Sequence, residues 1–360
     1  MAAYTDLFNR HAVHTADAIS MVGAFFMRHH YGLLIAVGIG SGLLIPVLLG
    51  GLDSIDLLVR SDPLDWLLLL GLVFVAWNVN AGRIRLLAGG VGIQVDQVRA
   101  LGIQIATEFS IAATPASSGG PVTYAWLLNR QGMGMSRGMA LYAADHMIDL
   151  LFFLTATCLL GLYWFIVPGE LHLGLQMSLL IGGLLLILGG LLYCIHNHRP
   201  IFRATGWLMQ QLRASPRTRR KVARWVLAFR RSLQLVRQFS TARLLGVYGL
   251  CAGHWLIRYS LLYAAIQLLG GEMTWPHAFL VQMLSLTAGQ LVLLPGGSGG
   301  AEVSGSLLLA PYLDASTAAA AILLWRFVTF YWYLIAGAPV FALMAGQPLW
   351  QRLREKMSDG

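Results

Sequence analysis

Apolar residues run along this chain in blocks of about 20, the length that carries an α-helix across a hydrocarbon layer. Tyr31–Gly51, Leu64–Val79, Gly138–Val167, Leu173–Ile195, Leu244–Leu269 and Ser316–Ala345 are six such blocks. Two further apolar regions, about 100–128 and 276–312, are interrupted by Pro and clustered Gly. Breakers in mid-block read as re-entrant or broken helices, because backbone groups freed at membrane depth must be satisfied inside the protein. The expected fold is an all-α integral membrane protein with about six full spans and two Gly/Pro-broken re-entrant hairpins.

Composition sharpens this reading. Hydrophobic residues make up 57% and charged residues 11%, against about 25% charge in soluble domains. That excludes a soluble enzyme, a disordered chain and a nucleic-acid-binding module. Cys158, Cys194 and Cys251 lie inside apolar stretches without CxxC spacing, so no disulfide framework or zinc site is expected. No cofactor or metal is expected either, and His29-His30 and His196-Asn-His198 are weak metal candidates at span ends. The polar or mixed stretch of roughly 30 residues before the first block does not read as a cleaved signal peptide.

In a membrane protein the net charge of +9 reports topology first. Residues 196–243 hold 12 of the 25 Lys and Arg and no acid, which places this loop in the cytoplasm by the positive-inside rule. Asp53, Asp56 and Asp62 against Arg60 suit the opposite side, while Arg83, Arg85, Arg130, Arg137 and the tail's Arg352, Arg354 and Lys356 fall inside. The expected location is the inner membrane, with both termini cytoplasmic. Within the basic loop Val222, Trp225, Val226, Phe229, Leu233 and Val236 recur at helical spacing, with Arg220, Arg224 and Arg231 on another face. Such a helix lies on anionic inner-leaflet lipid, each basic residue adding about 1 kcal/mol. Residues 1–30, with Leu7, Phe8, Ile19, Val22, Phe25 and Phe26, form a weaker interfacial segment.

The two interrupted regions match at an offset of 180 residues. Pro115-Ala-Ser-Ser-Gly-Gly120 falls on Pro295-Gly-Gly-Ser-Gly-Gly300, and ten of 42 positions from 115 to 156 are identical. With the loop charges as assigned, the span from 138 runs outward and its counterpart from 316 runs inward, so the repeats (about 100–167 and 276–345) are inverted. Inverted repeats with broken hydrophobic segments point to a transport site near the midplane. The competing reading is that the glycines only let helices pack closely.

Ionisable groups inside hydrocarbon are functional candidates by default. The first repeat offers Asp145, His146 and Asp149 on one span; the second offers Glu302 and Arg326, with His146 and Arg326 equivalent in the repeat. Backbone N–H groups at the broken helix starts, over Pro115, Ser117, Ser118, Gly119 and Gly120 and over Pro295, Gly296, Gly297, Gly299 and Gly300, can hold an anionic headgroup. Arg326 can pair with a phosphate or with Glu302, and a purely structural Glu302–Arg326 bridge stands beside the substrate role. Asp145, Asp149 and Glu302 can counter a cationic headgroup or carry protons. Arg258 and His254 read as ordinary snorkelling residues near a bilayer edge.

At these residues the chain resembles a known family. Thr114 to Phe153, Leu294-Pro-Gly-Gly-Ser-Gly-Gly-Ala-Glu302 and Arg326-Phe-Val-Thr-Phe330 are similar to the flippase-like membrane domain of lysylphosphatidylglycerol synthases. That domain also occurs as stand-alone uncharacterised members, including a hopanoid-associated branch. The resemblance spans roughly residues 30–345 and implies one flippase-like domain moving a polar-headgroup or isoprenoid/hopanoid-type lipid across the membrane. It implies no lysyl transfer, because only a short tail from Gly346 follows. The chain departs from the family pattern at Asp145-His146, where an acid–Arg pair is usual. Two other classes stay open: a membrane-embedded enzyme acting on a lipid phosphate, with His146 and Asp149 as partners, and a non-catalytic partner of lipid-modifying enzymes.

Overall fold

The computed structural model describes residues 29–167 and 239–358 except Leu293, with isolated positions between 182 and 238. Most of the expected Leu173–Ile195 span, the interfacial segment before residue 29 and nearly all of the basic loop lie outside the described residues. Among the described residues every regular element is helical.

The first half opens with α1 (His29–Gly50) and a short α2 (Asp53–Arg60), bent 106° from each other. Gly51 supplies the corner at φ 73°, where a side chain would be strained. Asp62 then caps α3 (Pro63–Gly90) by accepting the Leu64 N–H, with Pro63 in the first turn. Asp96 caps α4 (Gln97–Ala113) through the Arg99 N–H. A 3₁₀ turn at Pro115–Ser117 interrupts the chain before α5 (Gly119–Asn129) and the long α6 (Met135–Ile166).

The second half repeats this order. Ser240 caps α7 (Thr241–Tyr259), which breaks at Ser260 into α8 (Leu261–Leu268). There follow α9 (Trp275–Leu291), a 3₁₀ turn at Pro295–Gly297, and α10 (Gly300–Leu309). Asp314 caps α11 (Ala315–Arg326), and a π-helical turn at Phe327–Tyr331 leads into α12 (Trp332–Ser358). Matching elements begin 178 to 181 residues apart, from α3 against α7 to α6 against α11. The repeat therefore takes in a further helix at each start beyond the stretches read from the sequence.

Among the described residues three stretches are long and apolar enough to cross a membrane: α3, α6 and Ala315–Gly346 through α11 and α12. The bent pair α1–α2 makes a fourth if it counts as one span. Two corrections to the sequence reading follow. The block 244–269 is not one helix: Gln282 of α9 bridges its break, its Nε2 donating to the Arg258 carbonyl at 3.0 Å and its Oε1 accepting the Leu262 N–H at 3.3 Å. The block ending at Val79 continues helically to Gly90, so Arg83 sits inside a helix rather than in a cytoplasmic loop.

Large apolar side chains such as Leu48, Leu67, Phe74, Phe165, Leu307 and Leu343 point outward, while Arg83, Glu108, Asp145, His254, Glu302 and Arg326 are buried. An apolar surface around a polar interior is the distribution lipid imposes, since charge in hydrocarbon must face protein or a cavity. Tight packing of α3 on α7, α4 on α12, and each broken helix on its own return brings the two 3₁₀ turns against each other.

Candidate site where the two helix breaks meet

The second break is built around one guanidinium. Chain reversal after Pro295 uses left-handed backbone at Gly296 (φ 63°) and Gly297 (φ 66°). A Cβ at Gly296 would stand 2.1 Å from the Phe330 ring. Glu302 accepts the Gly299 N–H through Oε2 at 2.6 Å, closing the start of α10. Its Oε1 accepts from Arg326 Nε at 2.6 Å, and both side chains are essentially inaccessible. Arg326 Nη2 donates further to the Gly296 carbonyl at 3.0 Å and to Ser298 Oγ at 3.1 Å, while its guanidinium lies 4.6 Å above Phe330. The π turn directly after Arg326 is a helix irregularity of the kind common at functional sites.

The first break has the same backbone without the same lock. Ala116 and Ser117, aligned with Gly296 and Gly297, adopt φ 50° and 57°, a region costing about 1–2 kcal/mol for a residue with a Cβ. Neutral groups hold the turn. Thr114 Oγ1 accepts the Gly119 N–H at 2.8 Å and donates to the Ser110 carbonyl at 2.6 Å, and Ser118 donates to the Pro115 carbonyl at 2.9 Å.

Asp145 and Asp149 do not serve this break; α3 claims them. Arg83 donates Nε to Asp145 Oδ1 and Nη1 to Asp149 Oδ1, the latter at 2.7 Å. The same Asp149 oxygen accepts from Trp255 Nε1 at 2.6 Å. His146 and Arg326, equivalent in the repeat, are held differently. Arg326 is clamped on its break, whereas His146 is 48% exposed, with Nδ1 3.0 Å from the Tyr142 carbonyl and its ring stacked on Tyr142.

A third pair overturns the snorkelling reading of Arg258. Its Nη1 meets Glu108 Oε1 at 2.8 Å with both side chains largely buried, and Gln104 donates to the same oxygen at 3.0 Å. His254 is buried against the Ala76 carbonyl.

These groups border one cavity of about 510 Å³, within the 300–1,000 Å³ usual for ligand sites. Of the residues singled out by sequence, Ser117, Asp145, His146, Asp149, Gly296 and Arg326 line it. Pro115, Ser118, Gly119, Gly120, Pro295, Gly297, Gly299, Gly300 and Glu302 do not; they shape the breaks behind it. The sequence reading missed Arg83, Glu108 and the polar and aromatic wall of Asn80, Gln104, Tyr124 and Tyr142. Glu108 carried a usable signal, being an acid inside the interrupted apolar region 100–128. Among the described residues no cluster of three or more His, Cys, Asp or Glu is placed to hold a metal ion.

Fold and site together define a multi-helix membrane protein with an ion-paired polar cavity at the meeting of two broken helices. The chain belongs to the family described as the lysylphosphatidylglycerol synthase TM region, whose model matches residues 32–337. It is also similar to a UPF0104 membrane protein of Archaeoglobus fulgidus, 23% identical over 285 residues that cover 76% of this chain and 85% of the relative.

Proposed function

We propose that this protein moves a lipid across the inner membrane, its polar headgroup passing through the cavity while the tails stay in hydrocarbon. The observation that carries this reading is the cavity itself. Three buried arginine–carboxylate clusters and two left-handed helix breaks face one space inside a chain whose outer surface is apolar. Irregular backbone and buried charge at such a place are what a headgroup path requires. A family description that names the membrane region of a lipid synthase agrees with a lipid as the ligand.

Contacts at the helix ends support an inverted repeat and a side assignment. Arg130, just before α6, donates to the Met344 carbonyl near the far end of the Ala315–Gly346 stretch. Asp314, at the start of α11, lies at the end where α11 packs on α2 with its Asp53 and Asp56. Equivalent long helices α6 and α11–α12 therefore run in opposite directions between a basic end, with Arg85, Arg99, Arg130 and Arg137, and an acidic end. The basic end faces the cytoplasm by the positive-inside rule. The basic loop adds attraction to anionic inner-leaflet lipid, and enzymes that make or modify the lipid are the natural partners.

The test is reconstitution in liposomes with a panel of labelled lipids, followed by leaflet accessibility and by mass spectrometry of the recovered lipid. Movement to the other leaflet with unchanged mass supports translocation. A changed lipid would replace it with a membrane-embedded enzyme.

A further inference from the structure

Counting charge around the cavity leaves a remainder. Arg258 is matched by Glu108 and Arg326 by Glu302, one to one. Arg83 faces both Asp145 and Asp149. The Arg83–Asp145–Asp149 cluster at the cavity wall thus holds one carboxylate more than it holds guanidinium groups, and an uncompensated buried charge is strongly unfavourable. A cation bound beside it would close the balance.

His146 is the group placed to carry that cation. Its Nδ1 lies 3.0 Å from the Tyr142 carbonyl and 3.9 Å from Asp149 Oδ2. A carbonyl only accepts, so Nδ1 bears the hydrogen of the neutral ring and the Nε2 lone pair is left to take a proton. The imidazole borders the cavity and is half exposed. In the repeat it stands where the second half has Arg326, a permanent cation paired one to one with Glu302. The first half thus holds a switchable charge at the position where the second holds a fixed one.

The other charged and titratable groups around it come from every packed element. They are Asp145, Asp149 and Tyr142 on its own helix, Arg83 on α3, Glu108 on α4, and Tyr124 on α5. Cys251, His254, Arg258 and Tyr259 come from α7, Arg326 from α11 and Tyr333 from α12. Tyr124 adds a second observation: its hydroxyl is buried beside the cavity without a hydrogen-bond partner among the described residues, and its ring meets Tyr142 edge-on. From this arrangement we infer that transport is coupled to protons, one proton binding His146 Nε2 in each cycle and neutralising the Arg83–Asp145–Asp149 cluster. On the return it leaves Nε2 for water on the opposite side.

The inference rests on lipid translocation, and the test separates the two. Proteoliposomes containing a trapped pH-sensitive dye and a labelled, amine-free lipid are given a pH gradient of either sign. The expected result is lipid movement whose accumulation changes about tenfold per unit of gradient, together with a dye signal when lipid is added without a gradient. His146→Arg, which fixes the charge as in the second half, and His146→Gln, which carries none, should each abolish the dye signal and the response of any residual lipid movement to the gradient. A dye signal retained in either folded variant overturns the assignment to His146. Wild-type lipid movement indifferent to the gradient overturns proton coupling while leaving translocation standing. A gradient response confined to amine-bearing lipids overturns it too, because the headgroup then supplies the cation. Absence of movement for every lipid under every gradient removes translocation, and coupling with it.

Discussion

Arg83 and Arg85 look alike in the sequence, two basic residues at a span end, yet the structure separates them sharply. Arg85 is exposed, reaching the Val95 carbonyl at 3.1 Å and Gln97 at 3.2 Å. Arg83 has 2% of its side chain accessible and binds two carboxylates. In Arg83→Met, Asp145 and Asp149 would remain buried with only Trp255 and Cys251 near Asp149 as donors. Breaking a buried pair in this way costs about 3–5 kcal/mol. Arg85→Met removes two exposed contacts and should cost under about 1 kcal/mol. In detergent, thermal unfolding followed by tryptophan fluorescence should lower the Tm of Arg83→Met by on the order of 10 °C and that of Arg85→Met by a degree or two. The triple variant Arg83→Met, Asp145→Asn, Asp149→Asn leaves no lone charge and should recover most of the loss. Equal Tm values for the two arginine variants, or no recovery in the triple, would refute the buried cluster.

Three further outcomes follow from the site. Glu302→Gln and Arg326→Met should each destabilise the protein by about 3–5 kcal/mol. Their combination should recover only part of it in chemical unfolding, because Gly296 and Ser298 lose the Arg326 donors as well. Ala116→Gly and Ser117→Gly relieve left-handed backbone and should stabilise by up to about 1 kcal/mol each, whereas Gly296→Ala should destabilise through its clash with Phe330. Opposite signs in one Tm series check the shared conformation. Asp314, held at about 2 by the Ser316 hydroxyl and the Thr317 N–H, contributes stability above the ordinary carboxylate range that is lost as pH falls from about 4 toward 2. Asp314→Ala should cost about 1 kcal/mol at neutral pH and remove that part of the acid limb in pH-dependent unfolding.

Much of the architecture was legible because lipid forces a simple code: apolar blocks, punctuated by Pro and Gly where the helix must open. Both breaks fell where the Pro-x-x-Ser-Gly-Gly pattern put them, and Arg326 took Glu302, one of the two partners its chemistry allowed. What stayed hidden was partnership across distant segments. Nothing local to Arg83 tells that it meets a helix 62 residues further on, and hydropathy cut α3 short because Asn80, Arg83 and Arg85 lower the local average. Arg258 and Glu108, 150 residues apart, escaped for the same reason. In the sequence Gly299 reads as offering its N–H to an anionic headgroup; at φ 85° it caps α10 and presents that N–H to Glu302. A side chain there would test the fold rather than the cavity.

The path of the headgroup is the claim on which the rest depends, and blocking it is the direct test. Thr287 and Gln290 line the cavity from α9 and are exposed in it, so Thr287→Trp with Gln290→Trp narrows the space without disturbing a buried pair. Val59→Trp, on the exposed face of α2, serves as the control for a bulky surface substitution. All three proteins are reconstituted at equal density, and the rate of labelled-lipid movement between leaflets is measured for each. A headgroup path through the cavity predicts at least about a tenfold slower rate in the double variant, with Val59→Trp unchanged. Equal rates in all three proteins would contradict it and place lipid movement elsewhere on the molecule.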